Sequence, residues 1–186
     1  MDIHHNSGQW RRLRSMPGPV YRIFSLRYDE MENPRNGHSE TMIVLESPDS
    51  VNVVAVTTAG EVLLVRQYRF GTGSYTLELP GGVVDAGEDH GAAARRELEE
   101  ETGYSGDSWH YLGLVASNPV FMNNYIHHWY VEGVTLGAQQ KLDPSEAVEV
   151  IAMPVDEVYR RWLAGEFEHP HTVNALLRYF AMVKLS

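Results

Sequence analysis

Apolar and polar positions change their period along this chain, and the changes mark its elements. Residues 20–28, VYRIFSLRY, alternate closely enough for a strand, and residues 40–46, ETMIVLE, read as the returning strand. Between them, residues 32–37 (ENPRNG) form a turn, where Asn36-Gly37 favours positive φ. Residues 18–47 are therefore predicted to form a β-hairpin or small sheet. Upstream, Trp10 stands beside Arg11, Arg12 and Arg14, with no acid after Asp2; this stretch reads equally as a tail or as a docked segment. From residue 51 the pattern becomes mixed. Residues 51–57 are a continuous apolar, β-branched run, Ala59-Gly60 a turn, and residues 62–66 a second strand that 67–70 extend. A short strand over 76–79 leads into Pro80-Gly81-Gly82. A helix is predicted over 92–102, with Gly103 as its C-cap glycine. Strands follow at 111–116, 126–131 and 147–153, and helical periods at 155–165 and 173–184. The pattern alone supports a mixed α/β chain.

The helix over 92–102 carries the candidate chemistry. Glu97, Glu99, Glu100 and Glu101 fall within five residues, directly after Arg95 and Arg96. Helical geometry sets Glu97 one turn from both Glu100 and Glu101, so these carboxylates share a face. Like charges at that spacing destabilise a helix by about 0.2–0.5 kcal/mol per pair. A hard divalent cation would relieve the repulsion, and Mg²⁺ takes oxygen ligands, waters and substrate phosphates. A solvated acidic face is the bland alternative for such a run. Spacing changes that balance: the segment reads G-x5-E-x7-R-E-L-x-E-E-x-G, on Gly82, Glu88, Arg96, Glu97, Leu98, Glu100, Glu101 and Gly103.

That segment resembles the Nudix box, the signature of the Nudix hydrolase family. Tyr104 departs from it softly, at a packing position where an aliphatic residue is usual. The resemblance implies a Nudix α/β/α sandwich with a mixed sheet, in which a loop–helix–loop binds Mg²⁺ or Mn²⁺ and a pyrophosphate. It assigns metal coordination to Glu97, Glu100 and Glu101 and to the carbonyl of Gly81. Glu88 is either a ligand or an orienting residue. Arg96 pairs with a carboxylate and fixes its rotamer.

Similarity extends to the ADP-ribose and nucleoside-diphosphate-sugar pyrophosphatase branch. Residues 65–69 (VRQYR) match a strand whose last arginine, here Arg69, meets a substrate phosphate. Residues 78–82 (ELPGG) match a segment whose glutamate, Glu78, reaches substrate hydroxyls. Pro119 lies fifteen residues after Tyr104, where ADP-ribose hydrolases carry a proline. In that branch the N-terminal β segment, here 1–47, forms a homodimer arm whose aromatics help hold adenine; Phe24 and Tyr28 are the candidates by position. Residues 48–186 would be the hydrolase domain. The late loop should supply a further metal ligand, Glu146. The base that activates water stays open between Glu146, Asp143, Glu149 and a box glutamate such as Glu100, because Pro144 occupies the expected position. His127 and His128 are neighbours on a strand and face opposite sides, so they are not expected to form a metal pair.

Composition fits a globular domain and narrows the partners. The chain has 186 residues, 43% hydrophobic, with a formal net charge of -10. That charge argues against binding nucleic acid or an anionic membrane surface. There is no cysteine, no run of 18 apolar residues and no signal-peptide pattern, so a soluble cytoplasmic protein is expected. The expected activity is metal-dependent hydrolysis of the pyrophosphate bond of a nucleoside diphosphate sugar, ADP-ribose or a relative such as GDP-mannose. The products would be a nucleoside monophosphate and a sugar phosphate. Alternatives are a house-cleaning hydrolase of nucleoside triphosphates or dinucleoside polyphosphates, and a non-catalytic nucleotide sensor. The intact box weighs against the sensor.

Overall fold

The computed structural model describes residues 8–142, 144 and 147–184. Two compact units emerge: residues 8–48 with Ala116–Asn124, and Asp49–Val115 with residues 125–184.

The first unit is an antiparallel three-stranded sheet in the order β1 (Arg11–Val20), β2 (Ser25–Glu32), β3 (Ser39–Glu46). Of the two readings of the stretch around Trp10, the docked one holds from Arg11 onward, where β1 pairs with β2. Polar pairing holds it there. Buried Asp29 accepts from Ser15 Oγ at 2.6 Å and from Arg27 Nε at 3.1 Å, and Arg11 forks onto Glu32 at 2.9 and 3.0 Å. Val20 ends β1, and residues 21–24 turn under a Tyr21 N–H bond to Phe24 O at 2.8 Å. Phe24 is therefore a turn residue, and the strand predicted from residue 20 starts at Ser25.

The second unit is built on a seven-stranded mixed sheet. Its path is β10 (Glu149–Pro154), β5 (Glu61–Arg69), β4 (Ser50–Thr57), β9 (Tyr125–Leu136) and β7 (Tyr104–Ser105). Strand β6 (Ser74–Glu78) pairs with β5, and β8 (Ser108–Ala116) with β9. Strands β4 and β9 run parallel, while β5 is antiparallel to β4, β6 and β10. Alternation along β4 and β5 divides the core between the two faces. Val53, Ala55 and Leu63 meet Ala93, Ala94 and Leu98 of helix α1 (His90–Thr102). Val54, Val56, Val62 and Leu64 face the other way, toward α2 (Val155–Leu163) and α3 (Pro170–Lys184), where Val158, Leu176 and Phe180 close the layer. The result is the helix–sheet–helix sandwich that the Nudix resemblance implied.

Helix α1 sits where its ends dictate. Asp89 caps the start, accepting from Gly91 N at 2.9 Å and Ala92 N at 3.2 Å. Gly103 ends it at φ 74°, the left-handed conformation glycine adopts without strain. Small residues at Ala93 and Ala94 let the helix lie close on the sheet and turn its glutamates toward the loop that precedes it. No helix among the described residues is long and apolar enough to cross a membrane.

Candidate active site

Residues 80–84 run beside β4 and are held by its backbone. Val53 N donates to Pro80 O at 2.9 Å, Val51 N to Gly82 O at 2.8 Å, and Val84 N to Asp49 O at 2.9 Å. At Gly81 the close approach leaves no room for a side chain, and at Gly82 one would displace a neighbouring carboxylate. A Cβ on Gly81 would run into the backbone of Val51 and Asn52. One on Gly82 would lie 2.5–2.6 Å from the carboxylate atoms of Glu97. The glycines thus bring a loop backbone against both a strand and the acidic face of α1.

That face lines a cleft of about 490 Å³ shared by Gly81, Gly82, Glu97, Glu100, Glu101, Arg69, Arg96 and Lys141. Glu101 is only 4% exposed and accepts from Gly81 N at 2.8 Å. Arg96 organises the rest. It donates to Glu88 at 2.9 and 3.0 Å, to Glu97 at 2.8 Å, to Glu100 at 3.1 Å and to Val83 O at 3.0 Å. The bonds to Glu88, then those to Glu97 and Glu100, raise the Arg96 pKa against the opposing effect of its burial. Its bond to Arg96 likewise holds the Glu88 carboxyl below the ordinary carboxylate range.

A second charged corner adjoins this one. Glu78, 1% exposed, takes a two-bond fork from Arg69, Nε at 2.7 Å and a terminal nitrogen at 2.5 Å, and a further bond from Thr76 Oγ1. His169 Nε2 stands 3.5 Å from the same carboxylate. Burial pushes the Glu78 pKa up, but the Arg69 and Thr76 hydrogen bonds and the charges of Arg69 and His169 outweigh it, leaving the carboxyl below its usual range.

The NUDIX domain profile matches residues 46–174. The chain belongs to the NUDIX family. It is 34% identical over 137 residues to the "Methanol dehydrogenase activator" of Bacillus methanolicus, covering 73% of this chain and 74% of that one. To the "ADP-ribose pyrophosphatase" of Mycobacterium tuberculosis it is 31% identical over 162 residues, covering 86% and 78%. A crystal structure of an ADP compounds hydrolase superposes with a TM-score of 0.83 at 22% identity over 95% of each chain, a likeness of fold. The chain is a Nudix hydrolase, an enzyme whose box spans the loop and helix just described.

Among the residues the sequence singles out, Gly81, Glu97, Glu100, Glu101 and Arg69 converge on the Nudix cleft. Glu78 reaches it through Arg69. Glu149 does not line it; it pairs with Arg66 at 3.2 Å across β10 and β5. Phe24, Tyr28 and Pro119 belong to the first unit: Phe24 contacts the Tyr21 ring at 5.0 Å, Tyr28 lies over Gly18, and Pro119 stands in a turn. Glu146 and Asp143 lie outside the described residues. His127 and His128 do part to opposite sides. His127 Nδ1 meets the Tyr111 hydroxyl at 2.9 Å, while His128 Nδ1 lies 2.6 Å from Asn52 Oδ1. One cleft residue went unread, Lys141, and so did Thr76, which braces Glu78 behind Arg69. For Thr76 the available signal was its i, i+2 spacing from Glu78 on one strand face.

Proposed function

We propose that this Nudix enzyme hydrolyses the pyrophosphate bond of nucleoside diphosphate sugars, with ADP-ribose as first substrate, yielding AMP and ribose 5-phosphate. The observation carrying this reading is the cleft in which the box carboxylates and the Arg69–Glu78 corner meet. Relatives named for ADP-ribose hydrolysis support the choice of substrate. In the reaction a water oxygen bonds to one phosphorus, the bridging P–O bond breaks, and the freed phosphate oxygen leaves as the second product's anion.

The donor set suits Mg²⁺ or Mn²⁺, being all oxygen and drawn close by glycines at 81 and 82. Among the described residues no three His, Cys, Asp or Glu side chains are grouped to hold an ion, and Arg96 engages Glu97 and Glu100. Glu97, Glu100, Glu101 and the Gly81 carbonyl are the residues that would hold it, joined by Glu146. Bound there, the ion supplies charge neutralisation and a more acidic water. The chain's own groups do the rest. Arg69, its fork fixed by Glu78, orients a phosphate. Glu100, 40% exposed against 13% for Glu97, is the open carboxylate suited to take the water proton, and Arg96 holds its rotamer. The first unit serves as the arm of a homodimer, with Phe24 and Tyr28 as adenine contacts.

Purified protein with Mg²⁺ is to be given ADP-ribose, GDP-mannose, ATP and diadenosine polyphosphates, with products resolved by chromatography. AMP and ribose 5-phosphate from ADP-ribose are expected. Turnover of ATP with ADP-ribose untouched sinks the reading. A monomeric mass in solution removes the dimer.

A further inference from the structure

The end of α1 holds more than the helix. Gly103 N–H returns to Glu99 O at 2.8 Å, which leaves the carbonyls of Glu100, Glu101 and Gly103 beyond the helix's own hydrogen bonding. The segment 137–141 meets all three. Gly137 N and Ala138 N donate to Gly103 O at 3.0 and 3.1 Å, Gln140 Nε2 to Glu101 O at 2.5 Å, and Lys141 N to Glu100 O at 2.8 Å. The backbone of Lys141 is thereby pinned to a glutamate whose side chain lines the cleft, and Lys141 lines the same cleft.

Charge accounting separates the three cations lining that cleft. Arg69 is committed to Glu78 by two bonds. Arg96 is divided among Glu88, Glu97, Glu100 and Val83 O. Lys141 is exposed and makes no ion pair among the described residues. A substituted pyrophosphate brings two negative charges to a site already rich in carboxylates, and further charge develops on the departing oxygen. A compact ammonium with three rotatable donors, on a flexible stem, suits such an oxygen. We propose that Lys141 is a second phosphate-directed cation of this site, beside Arg69, contacting a non-bridging or departing oxygen of the pyrophosphate through its ammonium group. The proposal rests on the reading of the cleft as a pyrophosphate hydrolase. It makes Lys141 a catalytic residue, because it touches the substrate, and it gives the 137–141 segment a purpose beyond capping α1.

The test compares the full-length wild type, Lys141→Met and Lys141→Arg. Steady-state turnover of ADP-ribose in Mg²⁺ is measured alongside calorimetric titration with inorganic pyrophosphate, with Mg²⁺ and with EDTA, and thermal melting. Lys141→Met should lower kcat/KM about 10- to 100-fold and weaken pyrophosphate binding about 10-fold, with the melting temperature unchanged. Lys141→Arg should recover most of both. Turnover and pyrophosphate affinity within twofold of wild type in Lys141→Met overturns the proposal. So does a lowered melting temperature with losses that arginine does not restore, which would make Lys141 a structural support of the segment. Wild-type silence on ADP-ribose sinks the substrate reading alone, provided pyrophosphate binding is still lost in Lys141→Met; without that binding loss, both fall.

Discussion

The two charged corners of the cleft are built on opposite principles. At Glu78 a carboxylate is buried almost completely, and its neighbours supply matching donors: a forked guanidinium, a hydroxyl and a nearby imidazole. On α1, one guanidinium is shared by Glu88, Glu97 and Glu100, with buried Glu101 on the same helix. The first corner is balanced and acts as a fixed brace. The second carries surplus negative charge on a rigid helix, an arrangement that favours incoming cations. A protein can hold surplus charge in place only when something else is stiff, and here that is the helix with its capped ends.

Breaking the surplus corner should have the largest effect. Glu100→Gln, which keeps shape and removes charge, should lower kcat on ADP-ribose about 10³-fold, and EDTA should abolish turnover of the wild type. If the variant keeps a tenth of wild-type kcat, Glu100 is not the base. Next comes Gly82→Ala. Its methyl would fall on the Glu97 carboxylate, so kcat/KM should drop about 10²-fold while the protein still melts cooperatively; unchanged kinetics would mean the loop gives way freely. Disturbing the balanced corner should act on stability as well as binding. Arg69→Ala leaves Glu78 buried without its main partner, and should cost about 2 kcal/mol in urea unfolding, below the fully buried case because Arg69 is half-exposed. KM should rise together with that loss. A variant as stable as wild type would show that Thr76 and His169 suffice for Glu78.

The smallest effect sharpens the comparison through pH. Burial first, and the neighbouring charge of His169 second, push the His171 pKa down to about 4. In the unfolded chain this imidazole protonates near its ordinary value of about 6.5. Its contribution is therefore complete above that value and is lost as pH falls from there toward the folded value. Between pH 7.5 and 5.5 its loss should be about 1 kcal/mol, or about 2–4 °C in Tm, and His171→Gln should reduce the slope by that share. His128, likewise pushed down to about 4, should supply a like amount. The Glu78 carboxyl, held low, gives way only at more acidic pH, so the two events should appear in separate windows. A slope unchanged in His171→Gln would discount this histidine.

Legibility in the sequence followed the range of the interactions. The α1 face was readable because Glu97, Glu100, Glu101 and Arg96 lie within two helical turns, and one spacing rule relates them. Strand β4 announced itself as a β-branched run, and the start of β5 as an apolar one, because both faces are buried. Strand β1 did not, because its residues are nearly all exposed and it is held by Arg11, Ser15 and their partners on β2 rather than by apolar burial. The Arg69–Glu78 fork depends on the β5–β6 register, which pairs Arg69 with Ser74 and Val65 with Glu78, a relation that no local pattern carries. Lys141 is a single lysine in a loop. Only the folded capping of α1 brings it to the cleft.

The two-unit division also has a consequence for how the molecule comes into being. By the time Glu46 has been synthesised, every strand of the first unit exists, yet the unit is not whole. Leu45 still awaits Phe121, and Ser47 N awaits Asn123 Oδ1 from 76 residues downstream. Those residues leave the ribosome only after the box and its helix have been made. The unit begun first is thus completed only once the chain that carries the box glutamates has been translated, so truncation anywhere before residue 124 leaves it open.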